Sequence, residues 1–157
     1  MSQRPRTLAR IAAVQALYQA EHAAQNPETV IDQFVRHRLG GEPNAGGLED
    51  GQIAAAHVPL FAQIVRTATA QQDVIDNMLV GALAETWPLA RLDPVLRALM
   101  RAGTAELWMS DGPPVKVVIN EYMDVAHGFF NGDEARMANG VLDRIAHLLR
   151  PAEFSPA

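Results

Sequence analysis

The chain has no cysteine, which removes disulfides, thiolate metal ligands and cysteine nucleophiles together. Its other shortages narrow the field further. Aromatic residues make up only 6% of the 157 residues. No apolar run approaches the roughly 20 residues of a membrane-spanning helix, so no membrane partner is expected. Nowhere does apolar–polar alternation last long enough to read as a strand. HExxH, GxSxG and P-loop patterns are missing. The five histidines, His22, His37, His57, His127 and His147, lack the spacing of metal ligands. No signal-peptide pattern opens the chain, because Arg10 and Gln15 interrupt its first amphipathic segment. A cytoplasmic location is expected.

Charge is unevenly spread. The net charge of −5 argues against a protein that coats nucleic acid over its whole surface. Yet the first twenty residues hold Arg4, Arg6 and Arg10 and no acid, and the acids begin at Glu21. A basic end on an acidic body fits a protein that meets a polyanion at one edge.

What is present in quantity is helical periodicity. A first helix is expected from about Pro5 to Ala24, with Leu8, Ile11, Val14 and Tyr18 inward. Asn26-Pro27-Glu28 is a start signal for a short helix carrying Val30, Ile31, Phe34, Val35 and Leu39. Gly40 to Gly51 lacks periodicity and is expected to be a flexible loop. Phe61, Ile64, Val65, Ala68, Val74, Ile75, Met78 and Leu79 predict one long helix over about 59–81. Asp93-Pro94 opens another, with Leu96, Leu99, Met100, Gly103 and Leu107 inward. Trp108 is expected to pack under the loop at 110–112 with Arg97 beside it.

From Pro113 to Arg150 the pattern is two amphipathic helices joined at Asn131-Gly132. In the first, Val115, Val118, Ile119, Tyr122, Ala126, Phe129 and Phe130 face inward. Asp133 is expected to cap the second. There Met137, Ala138, Val141, Leu142, Ile145, Leu148 and Leu149 form the apolar arc. Arg136, Asn139, Asp143, His147 and Arg150 form a polar one. Gly140 within this helix predicts a close helix contact. Glu121 is expected to pair with a buried arginine, Arg101 or Arg10, since a buried charge survives only when paired.

Four of these stretches together carry a resemblance. Val118-Ile119-Asn120-Glu121, Asn139-Gly140-Val141-Leu142-Asp143, Arg101 with Glu106-Leu107, and Ala9-Arg10 followed by Ala13 to Gln19 resemble, in order, the pattern of the NusB family of transcription antitermination factors. The resemblance implies an all-α fold of six or seven helices in two packed subdomains. On this chain it implies a single RNA-binding domain with halves at about 1–84 and 85–150 and a tail at 151–157.

In function it implies binding of a boxA-type single-stranded RNA element of ribosomal leader transcripts. The implied partners are the ribosomal protein NusE and an RNA polymerase elongation complex with other Nus factors. It implies no catalysis and no cofactor. Carried over by position, the RNA contacts fall on Arg4, Arg6, Arg10, Asp133, Arg136 and Met137. Where many members have phenylalanine, this chain has Met137, which stacks less well on a base. Tyr18 and the acidic side near Glu85 are the candidates for the NusE surface. Self-association of some relatives near the basic end adds a homodimer to the partners considered.

Two other readings remain open on the residues. The same helical domain occurs in certain ribosomal RNA cytosine methyltransferases, whose catalytic cysteine has no counterpart here. A helical protein–protein adaptor without an RNA role is the other.

Overall fold

The computed structural model describes residues 5–38, 56–109 and 111–154. Arg4, the predicted loop at 40–51 and residues 155–157 of the tail lie outside the described residues. Within them the chain forms seven α-helices and two short 3₁₀ turns, and no strand.

The centre is α5, Pro94–Trp108. Asp93 caps it, accepting from Val95 N at 2.8 Å and Leu96 N at 3.4 Å. From Ala98 to Leu107 every residue except Arg101 is buried, the mark of a helix enclosed on all sides. It packs against α1, α3, α4, α6 and α7. On α1, Pro5–Ala23, the buried face carries Ala9, Ala12, Ala13 and Ala16. Side chains this small let α3 and α5 approach α1 closely.

Helix ends follow local chemistry. α1 stops where Ala24 enters the left-handed region at φ 53°, with Gln25 N donating to Ala20 O at 3.1 Å. Asn26 then caps α2, Pro27–His37, accepting from Glu28 N at 2.8 Å. The long helix expected over 59–81 is two helices, α3 Val58–Ala70 and α4 Gln72–Ala82. The break falls in a stretch without a buried residue between Ala68 and Ile75. There is no apolar stripe there to hold a straight helix, and Gln71 turns at φ −109°, ψ 21°. α3 lies on α1 and α5, whereas α4 lies on α5 and α7. Val74, expected inward, is exposed as a result.

α6, Val115–Phe129, and α7, Gly132–Leu149, form the antiparallel pair. The cap of α7 is Asn131, which accepts from Glu134 N at 3.2 Å, and not Asp133, which sits in the first turn. Phe129 and Leu148, expected inward, are 59% and 67% exposed. Both lie near the ends of their own helices. The close helix contact lies at Gly103, not Gly140. A Cβ on Gly103 would meet Leu142 Cδ2 of α7 at 3.0 Å, whereas one on Gly140 would meet only the Arg144 guanidinium, at 3.6 Å.

After α7 the chain folds back. Arg150 donates to the carbonyls of Leu107 at 2.9 Å, Met109 at 2.7 Å and Glu106 at 3.1 Å. It thereby satisfies acceptors that the end of α5 leaves open. Glu153, in the turn Pro151–Glu153, accepts from Val115 N at 2.9 Å and ties this corner to the start of α6.

Ala24 is exposed and left-handed, a conformation that costs a side chain about 1–2 kcal/mol. Ala24→Gly should raise the unfolding free energy by about 0.5–1 kcal/mol in urea titration. A loss of stability would contradict the assigned conformation.

Candidate functional site

The arginine expected at the polyanion surface is inside the protein. The Arg10 side chain is 3% exposed. Its Nε and Nη2 donate to the two carboxylate oxygens of Glu106 at 2.8 and 2.6 Å, and Nη1 lies 3.5 Å from Glu121. Burial alone would lower the guanidinium pKa, but the hydrogen bond and charge of Glu106 outweigh it and the value is raised. Tyr122 completes the cluster, its hydroxyl donating to Glu106 Oε1 at 2.9 Å. Burial first, and then the carboxylate of Glu106, hold that hydroxyl protonated well above its ordinary range. Glu121 also accepts from Thr7 at 2.9 Å. A fully spent, two-toothed pair of this kind is structural. Arg10, expected among the RNA contacts, is therefore not at the surface. Of its two expected arginine partners, Glu121 faces Arg10.

Arg101 belongs to a second network. It pairs with Asp76 of α4 at 2.8 Å and with Glu21 of α1, which Arg97 also grips. Arg97 further donates to the carbonyls of Leu89 and Leu92. It is thus far from Trp108, three turns along the same helix, and Trp108 stays partly exposed. The hydrogen bond from Arg97 is the main reason the Glu21 carboxyl lies below its ordinary value.

The remaining candidates fall at two ends of α6. Arg6 is exposed beside Pro113, Gly112 and His57, at the start of that helix. Asp133, Arg136 and Met137 lie past its other end, in the opening turns of α7. Fifteen helical residues separate the two ends, about 22 Å. Arg136 is 76% exposed and its only partner among the described residues is the equally exposed Asp133. Such a surface pair contributes about 0–1 kcal/mol and exchanges readily for a phosphate. Met137 is half-buried against the core.

Tyr18 lines an apolar groove of about 310 Å³ between α1 and α6, with Ile11, Val14, Val125 and Phe129. Its ring stacks on His22 at 5.4 Å. Gln15 Oε1 is buried in this groove with no partner among the described residues. Glu85 lies exposed in a polar recess with Trp87, Asp93, Leu96 and Glu134. Val95 borders the first groove and Leu96 the second, so the two partner candidates flank the opening turn of α5. The sequence reading missed Phe129 as a surface residue. The signal available was its place at the very end of the helix.

A helical body with an exposed apolar groove and exposed cations at two separate edges defines a docking protein. No cluster of His, Asp or Glu among the described residues could hold a metal, and no described helix is long and apolar enough to cross a membrane. Comparison with known proteins makes the assignment specific. The NusB family model matches residues 7–147. Transcription antitermination protein NusB of Granulibacter bethesdensis is 63% identical over 152 residues, covering 97% of this chain and 93% of that one. The protein of the same name from Gluconobacter oxydans is 50% identical over 145 residues, covering 92% and 88%.

Among solved structures, T. maritima NusB matches with a TM-score of 0.74 at 24% identity, covering 98% of this chain and 99% of that one. A chain in the crystal structure of antitermination factors NusB and NusE in complex with double-stranded RNA matches with a TM-score of 0.71 at 22% identity, covering 90% and 96%. The chain belongs to the NusB family.

Arg10→Ala should destabilise the fold by about 3–5 kcal/mol, because it leaves Glu106 buried and unpaired. Arg6→Ala should change stability by less than about 0.5 kcal/mol. Urea unfolding of both variants checks this, and equal small losses would return Arg10 to the surface. A pH titration tests the second network. The folded-state pKa of Glu21 is depressed, so its contribution is complete above the ordinary glutamate value of 4.5 and is lost as pH falls through the lower folded value. Glu21→Gln should flatten the acid limb of the stability profile and lower the plateau at neutral pH.

Proposed function

We propose that the protein is a transcription antitermination factor. In this reading it binds a boxA-type single-stranded RNA element of ribosomal RNA leader transcripts together with the ribosomal protein NusE, within an RNA polymerase elongation complex. The observation that carries the reading is the pair of exposed cationic edges, Arg6 and Arg136, on a body of net negative charge. Similarity at 63% identity to an antitermination protein supports it.

The chemistry of each edge supports a polyanion. Arg6 has no ion-pair partner among the described residues. Arg136 sits in the opening turns of an 18-residue helix, where free backbone N–H groups and the helix dipole favour phosphate. Met137 beside it offers a polarisable surface to a base. Asp133, released from Arg136, is free to accept from a base amino group. At the roughly 3.4 Å per nucleotide of a stacked strand, the 22 Å between the edges corresponds to six or seven nucleotides, the scale of a short linear element.

The apolar groove at Tyr18 is the proposed NusE surface. An exposed Phe129 and a buried Gln15 oxygen without a donor suit a protein chain better than RNA. Glu85 would meet a basic residue of the partner across the first turn of α5. A homodimer formed near the basic end would instead mask Arg6 and compete with RNA.

The test is fluorescence anisotropy of a labelled boxA-type RNA with and without purified NusE, against a scrambled control. Arg6→Ala and Arg136→Ala should each lower the slope of log K against log salt by about 0.7. Tyr18→Ala should weaken the NusE-dependent gain and leave RNA binding by the chain alone unchanged. Equal binding of the scrambled RNA, or unchanged salt slopes, would leave the adaptor reading standing.

A further inference from the structure

We propose that the groove between α6 and α7 is a nucleobase-reading site, the middle of an RNA track that joins Arg136 to Arg6. The proposal rests on the RNA-binding reading above and says what happens over the 22 Å between its two cationic edges.

The groove holds about 470 Å³, within the range of sites that enclose small ligands. Its position fits the track. Asn139 and Gly140 lie one turn below Arg136 on α7 and line its upper part. Its lower end is Pro114, the residue after Pro113, which borders the recess of Arg6. A strand leaving Arg136 along this groove therefore emerges beside Arg6.

The lining is chosen for base edges more than for phosphates. Lys116 and Asn120 project from α6, Asn139 and Asp143 from α7. Among the described residues, the side chains of Lys116, Asn120 and Asn139 have no hydrogen-bond partner. An amide carries both donors and an acceptor, the complement of a base edge. Asp143 repels phosphate but accepts from an exocyclic amino group, so it turns the base inward and leaves the backbone on the Lys116 side. Phe154 borders the groove and stacks on His147 with ring centroids 3.6 Å apart, a flat platform of the type that single-stranded RNA uses. Glu153, also at the rim, is already held by Val115 N and Arg150.

Gly140 supplies an independent argument. A glycine in mid-helix costs about 1 kcal/mol relative to alanine. Nothing in the packing demands it, since an added Cβ would make only an ordinary 3.6 Å contact with the Arg144 guanidinium, which is held by Ala82 O. Gly140 itself lines the groove, so the α7 wall carries no side chain at that point. A stability cost at a wall of this groove is explained by an occupant.

The experiment uses the full chain with NusE and a labelled boxA-type single-stranded RNA, titrated at several salt concentrations. Gly140→Leu, which fills the groove with a strong helix former, should keep or raise the melting temperature and weaken RNA binding by about tenfold or more. The double variant Asn120→Ala, Asn139→Ala should weaken binding similarly. In both the salt slope should stay at the wild-type value, unlike that of Arg6→Ala. The proposal is overturned if both variants bind RNA like the wild type, or if their salt slopes fall. It is also overturned if they lose NusE and not RNA, which would make the groove a protein-docking site. Failure of the wild-type complex to prefer the element over a scrambled RNA would overturn the RNA reading itself, and this site with it. Normal discrimination by the wild type with normal binding by both variants would overturn this site alone.

Discussion

The buried ion pair between Arg10 and Glu106 is the constraint from which the rest of the arrangement follows. An arginine and a glutamate enclosed in apolar surroundings cost several kcal/mol each to desolvate. They are tolerated because the pairing is bidentate, at 2.6 and 2.8 Å, and because Tyr122 supplies a third hydrogen bond to the carboxylate. The pair ties α1 to α5, and Tyr122 and Glu121 tie both to α6. Replacement of any one member strands the others. This geometry fixes which way α1 lies against α6 and, with it, where Arg6 and Tyr18 reach the surface.

The functional layout is a consequence of that orientation. α1 runs alongside α6 in the same direction, with Arg6 near Pro113 at one end and Tyr18 near Phe129 at the other. α7 returns antiparallel to α6, so its opening turn and Arg136 lie at the Tyr18 end. The two cationic edges are thereby separated by the length of a helix. The apolar groove and the Glu85 recess gather at one end, around the first turn of α5. RNA contacts that span the molecule and a protein contact confined to one end are what such a layout supports. A partner seated at Tyr18 would stand close to the strand entering at Arg136, and each would extend the surface offered to the other.

Much of the fold was legible in the residues. Capping pairs such as Asn26-Pro27 and Asp93-Pro94 act through local hydrogen bonds, and they start helices where the chain says they do. Among the features that were not legible, three have a clear physical reason. The break at Gln71 comes from a gap in the apolar stripe, which periodicity counted over a long window averages away. The exposure of Phe129 and Leu148, each at the end of its helix, depends on what packs there, a tertiary fact. Arg10 reads as part of the same basic end as Arg6, because the two are a turn apart in a stretch without acids. Nothing local reveals that Glu106, 96 residues later, is waiting inside for one of them. The expectation that Glu121 pairs with a buried arginine holds through Arg10, but the main bond goes to Glu106.

The central claim is that one RNA strand contacts both ends of α6 while Arg10 stays inside. Photo-cross-linking tests it most directly, using RNAs that carry a single photoreactive uridine at successive positions of the element, bound with NusE and mapped by mass spectrometry. The account predicts cross-links near Met137 from one nucleotide and near Arg6 from another about six or seven positions away, with Arg10 unmodified throughout. Cross-links to both ends from the same nucleotide, or modification of Arg10, would contradict it.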